Sequence, residues 1–474
     1  MSDKIPHIAV LGAGPAGVGA AFWLTRSGRA RVTILEQRDL PGGNAGSFEV
    51  EGIRVDYGSH RLHPSCDPEI LAELRGLLGE DLLDRPRHGR IHLLGRWIHF
   101  PLKPLDLALN LPPSFAFRAA WDSFLPSSSR TSPKEENFAT VLEQGLGRTF
   151  CREFYFPFAR KLWGLEPHQL SATQARRRVS ANSPAKLLGR LLGAVPGLKR
   201  PGKGRFFYPR RGYGQISEAL LEAAQNKGAN VLLGSRVQSI EGQAQSRTVV
   251  FERGGKVERI HADQVWSTLP VTFLVKALQG QVPPAVREAA SAISFRGMIL
   301  IYVTLSVDRF SEYDAHYFPA EEIPISRMSE PKNYSRVTEP SDRTVLCAEL
   351  PCDAGSTYWR MTDAELEDLV LESLARAGLS VTASVLSVVT RRLGQAYPVY
   401  SLGYEDHLAT VEDWLDEFDG LLTFGRQGLF AHDNTHHALY MASAAVQCLG
   451  EDGEFDRARW EEFRRIFETH VVED

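Results

Sequence analysis

Six residues near the start of the chain have the types and the spacing of a phosphate-binding turn. They read Gly12-Ala13-Gly14-Pro15-Ala16-Gly17 and directly follow the apolar run Ile8–Leu11. In this pattern Gly12 makes a tight turn, Gly14 lets a pyrophosphate approach the backbone, and Gly17 lets helix and strand pack closely. The helix that opens at Pro15 and Ala16 offers unpaired N–H groups and a positive dipole end to an anion. The pattern predicts dinucleotide binding.

An acidic residue follows at the distance that ribose recognition requires. Glu36 comes directly after the apolar run Val32–Leu35, nineteen residues after Gly17, and is followed by Gln37. A carboxylate at this point is placed to accept a ribose hydroxyl. A glycine-rich turn without a ligand is the alternative, and the combination of strand, turn, helix and acid argues against it. We therefore assign Glu36 and Gln37 to the cofactor site.

Three further segments resemble those of amine-oxidase-type flavoproteins. The second glycine pair of Pro41-Gly42-Gly43-Asn44-Ala45-Gly46 resembles their two-glycine motif, which NAD dehydrogenases do not usually carry. Gly425-Arg426-Gln427-Gly428 resembles the last FAD-contacting segment, and the stretch that ends at Val237 resembles the strand whose backbone meets the adenine. The resemblance implies FAD as the cofactor and places Gly42, Gly43, Asn44, Val237, Gly425 and Arg426 beside it.

Motifs scattered over most of the chain resemble the UDP-galactopyranose mutases, particularly the eukaryotic-type members. Asp56-Tyr57-Gly58-Ser59-His60 resembles the loop that places a histidine beside the flavin, which implies cofactor contacts for Ser59 and His60 and a catalytic role for His60. Arg61 and His63 either join it or face solvent. Segments around Trp163 and around Tyr334 resemble those that carry the two diphosphate-binding arginines, here Arg178 and Arg327. The substrate-binding residues that the resemblance implies are Arg90, Trp163, Arg178, Arg327, Tyr334, Tyr397 and His432.

The resemblance implies a redox-neutral isomerisation of a nucleotide sugar that requires reduced flavin. Two positions depart from the family. Leu102-Lys103-Pro104 stands where the mutases carry a Phe-Gln-Asn run that helps to hold uridine, and His432 stands where they carry a tyrosine that contacts the diphosphate. These departures leave an anionic, phosphate-bearing substrate in place but question UDP-galactopyranose itself. An FAD-dependent oxidase or dehydrogenase is the alternative, and the sequence leaves open an electron donor such as NADPH as a partner.

Other chemistry is less well supported by the sequence. The five cysteines are scattered without a paired spacing, which argues against a disulfide framework or a zinc site. Adjacent histidines on a helix point to different faces, so His436 and His437 cannot readily share an ion with His432, and we expect no metal.

The net charge of −4 argues against nucleic-acid binding. The basic stretch 185–192 could touch a membrane, but inward-packed leucines are commoner, so we expect no membrane-surface contact.

These residues require a doubly wound scaffold. Apolar β-rich runs alternate with helical patterns at both ends of the chain, which predicts an α/β, Rossmann-type FAD-binding domain with inserted segments. We expect the FAD-binding domain to be discontinuous, built from residues 1–100, 205–275 and 395–474. The inserted segments are a helical substrate domain, 101–204, and a β-rich substrate domain, 276–394. Without a visible signal peptide or a long apolar run, we expect a cytoplasmic protein.

Overall fold

A five-stranded parallel sheet forms the centre of the computed structural model, which describes residues 5–124, 136–178, 204–243, 246–278 and 282–472. In spatial order its strands are Leu421–Thr423, Gln264–Ser267, His7–Leu11, Arg31–Leu35 and Asn230–Leu232. Alternate residues of the strand His7–Leu11 enter different cores: Ile8 and Val10 pack on one side and Ala9 and Leu11 on the other. A parallel sheet buried on both faces is the arrangement that its apolar strands predict.

Helices cover both faces of this sheet. The helices Pro15–Ser27, Gln215–Asn226 and Thr435–Gln447 pack together on one face, with Pro68–Leu78 and Arg457–Phe467 beside them. The helices Val271–Ala277, Pro284–Ala292 and Tyr404–Asp416 cover the other face. A three-stranded antiparallel sheet lies on this second side, formed by Ser235–Gln243, Ser246–Arg253 and Lys256–Ala262.

A seven-stranded mixed sheet forms the second layer of the molecule. Its strands, in spatial order, are Val385–Val399, Ser294–Leu305, Thr344–Cys352, Arg327–Ser329, Ala315–Tyr317, Gly89–Leu93 and Arg96–Phe100. The helix Asp363–Arg376 covers one face, and its capping box at Thr362 fixes where it begins. The hairpin Ser47–Val50 and Ile53–Asp56 packs on the other face through Phe48 and Val55.

The inserted segment after residue 100 is helical. Its described α-helices are Pro104–Asn110, Pro113–Phe124, Phe138–Leu146, Arg148–Phe150, Phe156–Trp163 and Ala172–Arg178, with a π-helical turn at Cys151–Tyr155. The buried ammonium group of Lys161 donates to the carbonyls of Phe318, Ala320 and Ile325, and thereby ties this segment to the large sheet. The stretches 126–133 and 185–192 lie outside the described residues.

The remaining elements are short. The strand Leu82–Pro86 pairs with Arg205–Pro209 in a two-stranded sheet. Short helices are Gly43–Ala45, Gly79–Asp81, Pro167–Gln169, Pro331–Ser335, Thr357–Arg360 and Gly425–Gly428. No helix in the described part of the chain is long and apolar enough to cross a membrane.

The observed architecture confirms an α/β, Rossmann-type fold with inserted helical and β-rich segments. Individual elements differ from the expected domain limits. The strands Gly89–Leu93 and Arg96–Phe100 fall within the expected FAD-binding segment 1–100, yet they pair with the seven-stranded sheet. The helix Pro284–Ala292 falls in the expected β-rich segment, yet Val286 and Ala289 pack into the core of the parallel sheet. Sheet membership is decided by long-range pairing, which strand patterns alone do not specify.

Candidate functional site

The phosphate-binding turn lies where the strand His7–Leu11 meets the helix Pro15–Ser27. Gly12 has a φ of +95°, a conformation that glycine adopts readily. A Cβ atom on Gly17 would lie 1.9 Å from the carbonyl oxygen of Gly12, so helix and strand can touch only if residue 17 is glycine. A Cβ atom on Gly14 would meet no atom within 4 Å. The open space over Gly14 is the space that a pyrophosphate needs at a helix N-terminus.

The carboxylate of Glu36 is held rigidly at the end of the strand Arg31–Leu35. Its Oε2 accepts a hydrogen bond from the backbone N–H of Ala13 at 2.8 Å, and its Oε1 accepts one from Arg38 N–H at 3.0 Å. The residue is 7% exposed and lines a cavity together with Gln37. A carboxylate oxygen can accept more than one bond, so Glu36 can also accept a ribose hydroxyl.

The second glycine pair packs directly against the phosphate-binding turn. Gly42 and Gly43 have φ values of +106° and +55°, and a Cβ atom on Gly43 would lie 3.3 Å from Gly14 Cα. Gly425 closes the opposite side: its φ is +82°, and a Cβ atom there would lie 2.8 Å from Ala16 Cβ. Glycines from three distant segments thus meet around one turn. Side chains at Gly43 and Gly425 would crowd the turn, so glycine at these positions keeps the space around it open for a ligand.

One cavity of about 610 Å³ runs from the phosphate-binding turn toward His60. Most of the residues predicted to bind cofactor or substrate line it, namely Gly12, Gly14, Pro15, Ala16, Glu36, Gln37, Gly43, Asn44, Ser59, His60, Arg178, Arg327, Tyr397 and Arg426. The others are not among the lining residues: Gly17, Gly42 and Gly425 lie in the glycine turns, and Trp163, Tyr334 and His432 are buried. The size falls in the range of ligand pockets, and its lining suits a dinucleotide.

Two predicted residues lie away from the cavity lining. Val237 packs in the hydrophobic core beneath the three-stranded sheet. Arg90 lies between the rings of Trp97 and Tyr313, with its guanidinium carbon 4.2 and 4.4 Å from their centroids. Burial lowers the pKa of Arg90. The aromatic faces hold this cation in the large sheet, and the structure gives it no contact with the cavity.

His60 is half-buried and lines the cavity as a neutral ring. Burial lowers the pKa of His60, although Asp56 and the Tyr57 carbonyl oppose this effect. The carbonyl of Tyr57 accepts a hydrogen bond from Nε2 at 2.9 Å, which leaves Nδ1 as the unprotonated nitrogen of the neutral ring. The ring stacks on Tyr213 at 5.4 Å between centroids. His60 is therefore fixed in orientation and able to accept a proton or a hydrogen bond through Nδ1.

The base of the His60 loop is anchored by Asp56. Its carboxylate accepts hydrogen bonds from the Tyr208 hydroxyl at 2.6 Å and from Tyr213 N–H at 2.8 Å, and Ser47 adds a third bond. Burial raises the pKa of Asp56, and these three donors oppose that rise. The anchoring ties the loop to the segment that follows residue 205.

Arg327 is paired with an acid that the sequence analysis did not identify. Its Nε and Nη2 donate to the two carboxylate oxygens of Glu349 at 3.0 and 2.9 Å. Oε1 of Glu349 also accepts the backbone N–H of Ser59 at 2.8 Å. Glu349 is a lone acid in the apolar strand Thr344–Cys352, and that isolation is the signal that could have found it, because a buried charge requires a partner.

A second hydrogen-bonded group supports the Ser59 side of the cavity. Arg61 lines the cavity and donates to the hydroxyls of Tyr334 and Tyr317 at 2.9 and 3.0 Å. The hydroxyls of Ser59 and Tyr334 lie 2.6 Å apart. Tyr334 therefore positions Arg61 and Ser59 from behind. Of the two residues left open by the sequence, Arg61 joins the site, whereas His63 is not among the lining residues.

The remaining predicted substrate residues converge from three segments of the chain. The guanidinium carbon of Arg178 lies 5.8 Å from the Trp163 ring and 5.4 Å from the Tyr397 ring, and that of Arg426 lies 5.3 Å from Tyr397. His432 stacks on Tyr397 at 6.3 Å between centroids and is 1% exposed. Burial, together with the neighbouring arginines, lowers the pKa of His432 well below its usual range. The cluster thus carries two cations and a neutral histidine.

The cavity lining has an excess of positive charge. Among the described residues it includes the seven arginines Arg38, Arg61, Arg87, Arg178, Arg327, Arg392 and Arg426, but only the three acids Glu36, Glu349 and Asp433. The two charges of a dinucleotide pyrophosphate would balance about half of this excess of four. Arg61 also lies 3.5 Å from the buried carboxylate of Asp314, which is not among the lining residues.

Asp433 lies within 3.4 Å of the Nδ1 atoms of both His437 and His470, and the ligand atoms of these three residues lie within 4.8 Å of one another. The imidazole rings of His437 and His470 are stacked, with an angle of 12° between their planes. Nδ1 of His437 accepts a hydrogen bond from the backbone N–H of Asn434 at 3.2 Å. In-plane lone pairs of stacked rings do not converge on one ion, so this geometry suits a hydrogen bond between the His470 ring and Asp433 better than a metal.

The fold and this cavity together define a dinucleotide-binding flavoprotein. The family model for flavin-containing amine oxidoreductases matches residues 15–444. The chain belongs to that family, and its cofactor is FAD. The open space over Gly14 and the fixed Glu36 carboxylate fit this cofactor at its pyrophosphate and ribose.

Individual relatives differ in what they act on. The chain is 28% identical over 326 residues to a phytoene dehydrogenase of Streptomyces griseus, an alignment that covers 62% of this chain and 60% of that enzyme. A crystal structure of reduced UDP-galactopyranose mutase superposes with a TM-score of 0.81 at 21% identity, covering 99% of this chain and 100% of the other. A putrescine oxidase bound to putrescine superposes with a TM-score of 0.64 at 18% identity, covering 93% and 98%. At these identities the structural likeness shows the fold.

Proposed function

We propose that this protein is a flavoenzyme whose substrate is an anionic, phosphate-bearing small molecule. Within that class we propose a nucleotide sugar, transformed through reduced FAD in the manner of a UDP-galactopyranose mutase. The observation that carries the proposal is the excess of arginines along the cavity, and above all the placement of Arg178 and Arg426 over Tyr397. Guanidinium groups match phosphate oxygens in geometry as well as in charge.

The same observation disfavours the substrates of other family members. A polyamine is a cation and would be repelled by a lining with seven arginines and three acids in the described residues. A long polyene is apolar and would displace water from guanidinium groups without replacing its hydrogen bonds, which is costly. An anion gains from the same groups. The charge of the cavity therefore supports an anionic substrate over those named for the putrescine oxidase and the phytoene dehydrogenase.

In the proposed reaction each residue has a defined part. FAD, held at the glycine turn and Glu36 and in its reduced form, would supply the nucleophile for the anomeric carbon. Arg178 and Arg426 hold the nucleotide diphosphate while the sugar ring opens and recloses, which keeps the return step within one site. The neutral ring of His60 orients groups at the inner end of the cavity through Nδ1. The Arg327–Glu349 pair positions the Ser59–His60 loop and presents a hydrogen-bonding edge.

An oxidoreductase acting on an anionic substrate is the second candidate, and one observation favours it. Both donor atoms that Arg327 would direct to a diphosphate, Nε and Nη2, are already bonded to Glu349. A diphosphate contact through these two donors of Arg327 would therefore require this ion pair to open. In this second reaction bound FAD would supply the hydride acceptor for the substrate, and an electron acceptor such as oxygen would be needed to reoxidise the flavin.

The oxidation state of the flavin during turnover separates the two candidates. The holoprotein is reduced anaerobically with dithionite and supplied with a panel of UDP- and dTDP-linked pyranoses, and products are followed by chromatography. We expect a new isomer over many turnovers, with the flavin still reduced. Bleaching of the oxidised flavin by one of these substrates, with an oxidised product and no isomer, would establish the oxidoreductase instead. If no nucleotide sugar reacts with or binds to either form, the proposed substrate class is wrong.

A further inference from the structure

Two consecutive helices of the inserted segment expose an unusual amount of apolar surface. Among the described residues, the four most exposed large apolar side chains are Leu105 at 71%, Leu109 at 72%, Phe117 at 70% and Trp121 at 58%. All four lie within seventeen residues of sequence, on Pro104–Asn110 and Pro113–Phe124. Single exposed apolar residues are normal, but such a concentration marks an interaction surface.

The exposed residues form one side of each helix. Leu105 and Leu109 are four residues apart, as are Phe117 and Trp121, so each pair lies on one helix face. The rings of Phe117 and Trp121 stack at 6.3 Å between centroids. Leu107 and Phe115 pack on the same cluster as Ile91 and Ile98. Each lies two residues from an exposed residue of its own helix, which is about 200° around the helix axis. Because both buried faces rest on one cluster, both exposed faces point away from it.

The exposed helix faces carry almost no negative charge. Residues 104–124 include three charged side chains, Asp106, Arg118 and Asp122. Both acids are used inside the protein: Asp106 accepts the backbone N–H of His99 at 2.7 Å, and Asp122 accepts that of Thr149 at 2.6 Å. The charge left on the outside is the guanidinium of Arg118.

Arginines flank the aromatic pair in a cavity of about 610 Å³. Arg118, Arg148 and Arg152 line it beside Phe117 and Trp121, with Asp122 and Glu143 as its acids. Arg118 and Arg152 both face Glu153, at 4.0 and 2.8 Å, but the arginine side chains are 48% and 65% exposed and that of Glu153 is 21% exposed. The two guanidinium groups are therefore more exposed to solvent than the carboxylate that they share.

We propose that this helix pair is a docking surface for an anionic phospholipid bilayer. Aromatic and leucine side chains would enter the headgroup and upper acyl region, and the flanking arginines would meet lipid phosphates, as in interfacial helices that lie on a membrane. Arginine stems can extend along the apolar surface while their charged ends reach the phosphates. The inference is independent of the substrate. It departs from the expectation drawn from residues 185–192, because it rests on a different segment that the structure describes.

Vesicle binding by the holoprotein tests the proposal. We expect the protein to sediment with vesicles of phosphatidylglycerol and phosphatidylcholine, less with phosphatidylcholine alone, and less again as sodium chloride is added. Tryptophan emission should shift to the blue on binding, and Trp121→Phe should remove most of that shift. The double variant Phe117→Ser/Trp121→Ser should partition at least tenfold less than the wild type.

The matched control is Val257→Ser, which removes a side chain of similar exposure, 57%, from the outer strand Lys256–Ala262. It should bind vesicles like the wild type. FAD content and melting temperature of the double variant should match the wild type, since the changed side chains are exposed. Equal partitioning of the wild type and the double variant would overturn the proposal. So would concentration-dependent self-association that the double variant abolishes, without vesicle binding, because a second copy of the chain would then occupy the surface.

Discussion

Arg327 and Glu349 form a two-bond ion pair in which Nε and Nη2 of the arginine reach the two carboxylate oxygens at 3.0 and 2.9 Å. The same carboxylate accepts the N–H of Ser59, the residue before His60. An arginine predicted to clamp a diphosphate is therefore already balanced within the protein. An anion that enters the cavity therefore meets a pair with no net charge at Arg327 and Glu349. It meets positively charged guanidinium groups at Arg178 and Arg426.

The first prediction concerns the charge of this pair. Glu349→Gln keeps the shape of the side chain and removes its charge, which leaves Arg327 buried without a counter-ion. We expect the free energy of unfolding to fall by about 1–3 kcal/mol and the affinity for UDP to rise about fivefold, because the cavity gains a positive charge. Urea unfolding and calorimetric titration of the FAD-loaded protein measure the two effects. The control, Glu166→Gln, changes the half-exposed partner of Arg160 and should alter neither.

The second prediction separates the two roles of the early glycines. Gly14→Val should give a folded protein that binds no FAD, because the side chain enters the open space over the turn. Gly17→Ala should fail to fold, since its Cβ atom would lie 1.9 Å from the Gly12 carbonyl oxygen. Visible flavin absorbance and far-ultraviolet circular dichroism distinguish the outcomes. A yellow Gly14→Val protein would contradict the assignment of this turn to the cofactor.

The sequence predicted the parts of the molecule that are specified locally. The turn Gly12–Gly17, Glu36 and the second glycine pair each depend on a few neighbouring residues, and the structure brings them together around one cavity. Arg178 lies more than two hundred residues from both Tyr397 and His432 in the sequence, and no local pattern encodes their arrangement. Resemblance to a known family suggested these residues, and the structure places them within reach of one another.

Residues that act through a distant partner were harder to predict. Glu349 belongs to the site only because the large sheet brings it to Arg327, and a sequence shows it as one acid in an apolar strand. Arg90 lies between the aromatic faces of Trp97 and Tyr313 and is not among the residues that line the cavity, so its contact with the substrate stays a prediction. Cation–π contacts of this kind depend on which strands pair, which alternating patterns do not determine.

The third prediction concerns acid stability and His316. The ring is 1% exposed, and neither of its nitrogens has a hydrogen-bond partner among the described residues. Burial, aided by Arg90, lowers the pKa of His316 to about 3. The unfolded chain takes up a proton near pH 6.5 and the folded protein does not, so stability is lost as the pH falls below that value.

At pH 5.5 this single group costs about 1.4 kcal/mol of folding free energy relative to pH 7.5. His316→Phe should remove that part of the pH dependence, so the loss of stability between the two pH values should be about 1.4 kcal/mol smaller than in the wild type. Urea unfolding at both pH values provides the measurement. The control is His168→Phe, which changes an exposed histidine and should leave the loss of stability between the two pH values unaltered. If His316→Phe also leaves that loss unaltered, the buried ring of His316 does take up a proton.

The last prediction tests whether Arg178 recognises an anion through its planar fork. Its guanidinium group lies against the rings of Trp163 and Tyr397, a position that favours a flat, delocalised cation. Arg178→Lys keeps the charge but loses the stacking and the paired donors. We expect the affinity for UDP to fall about tenfold, or about 1.4 kcal/mol, with FAD content and melting temperature unchanged. Arg176→Lys is the matched control, because Arg176 lies on the same helix, is 57% exposed and pairs with Glu136. If both lysine variants bind UDP like the wild type, phosphate recognition does not depend on Arg178, and the anion site must lie nearer to Arg87 or Arg392 in the same cavity.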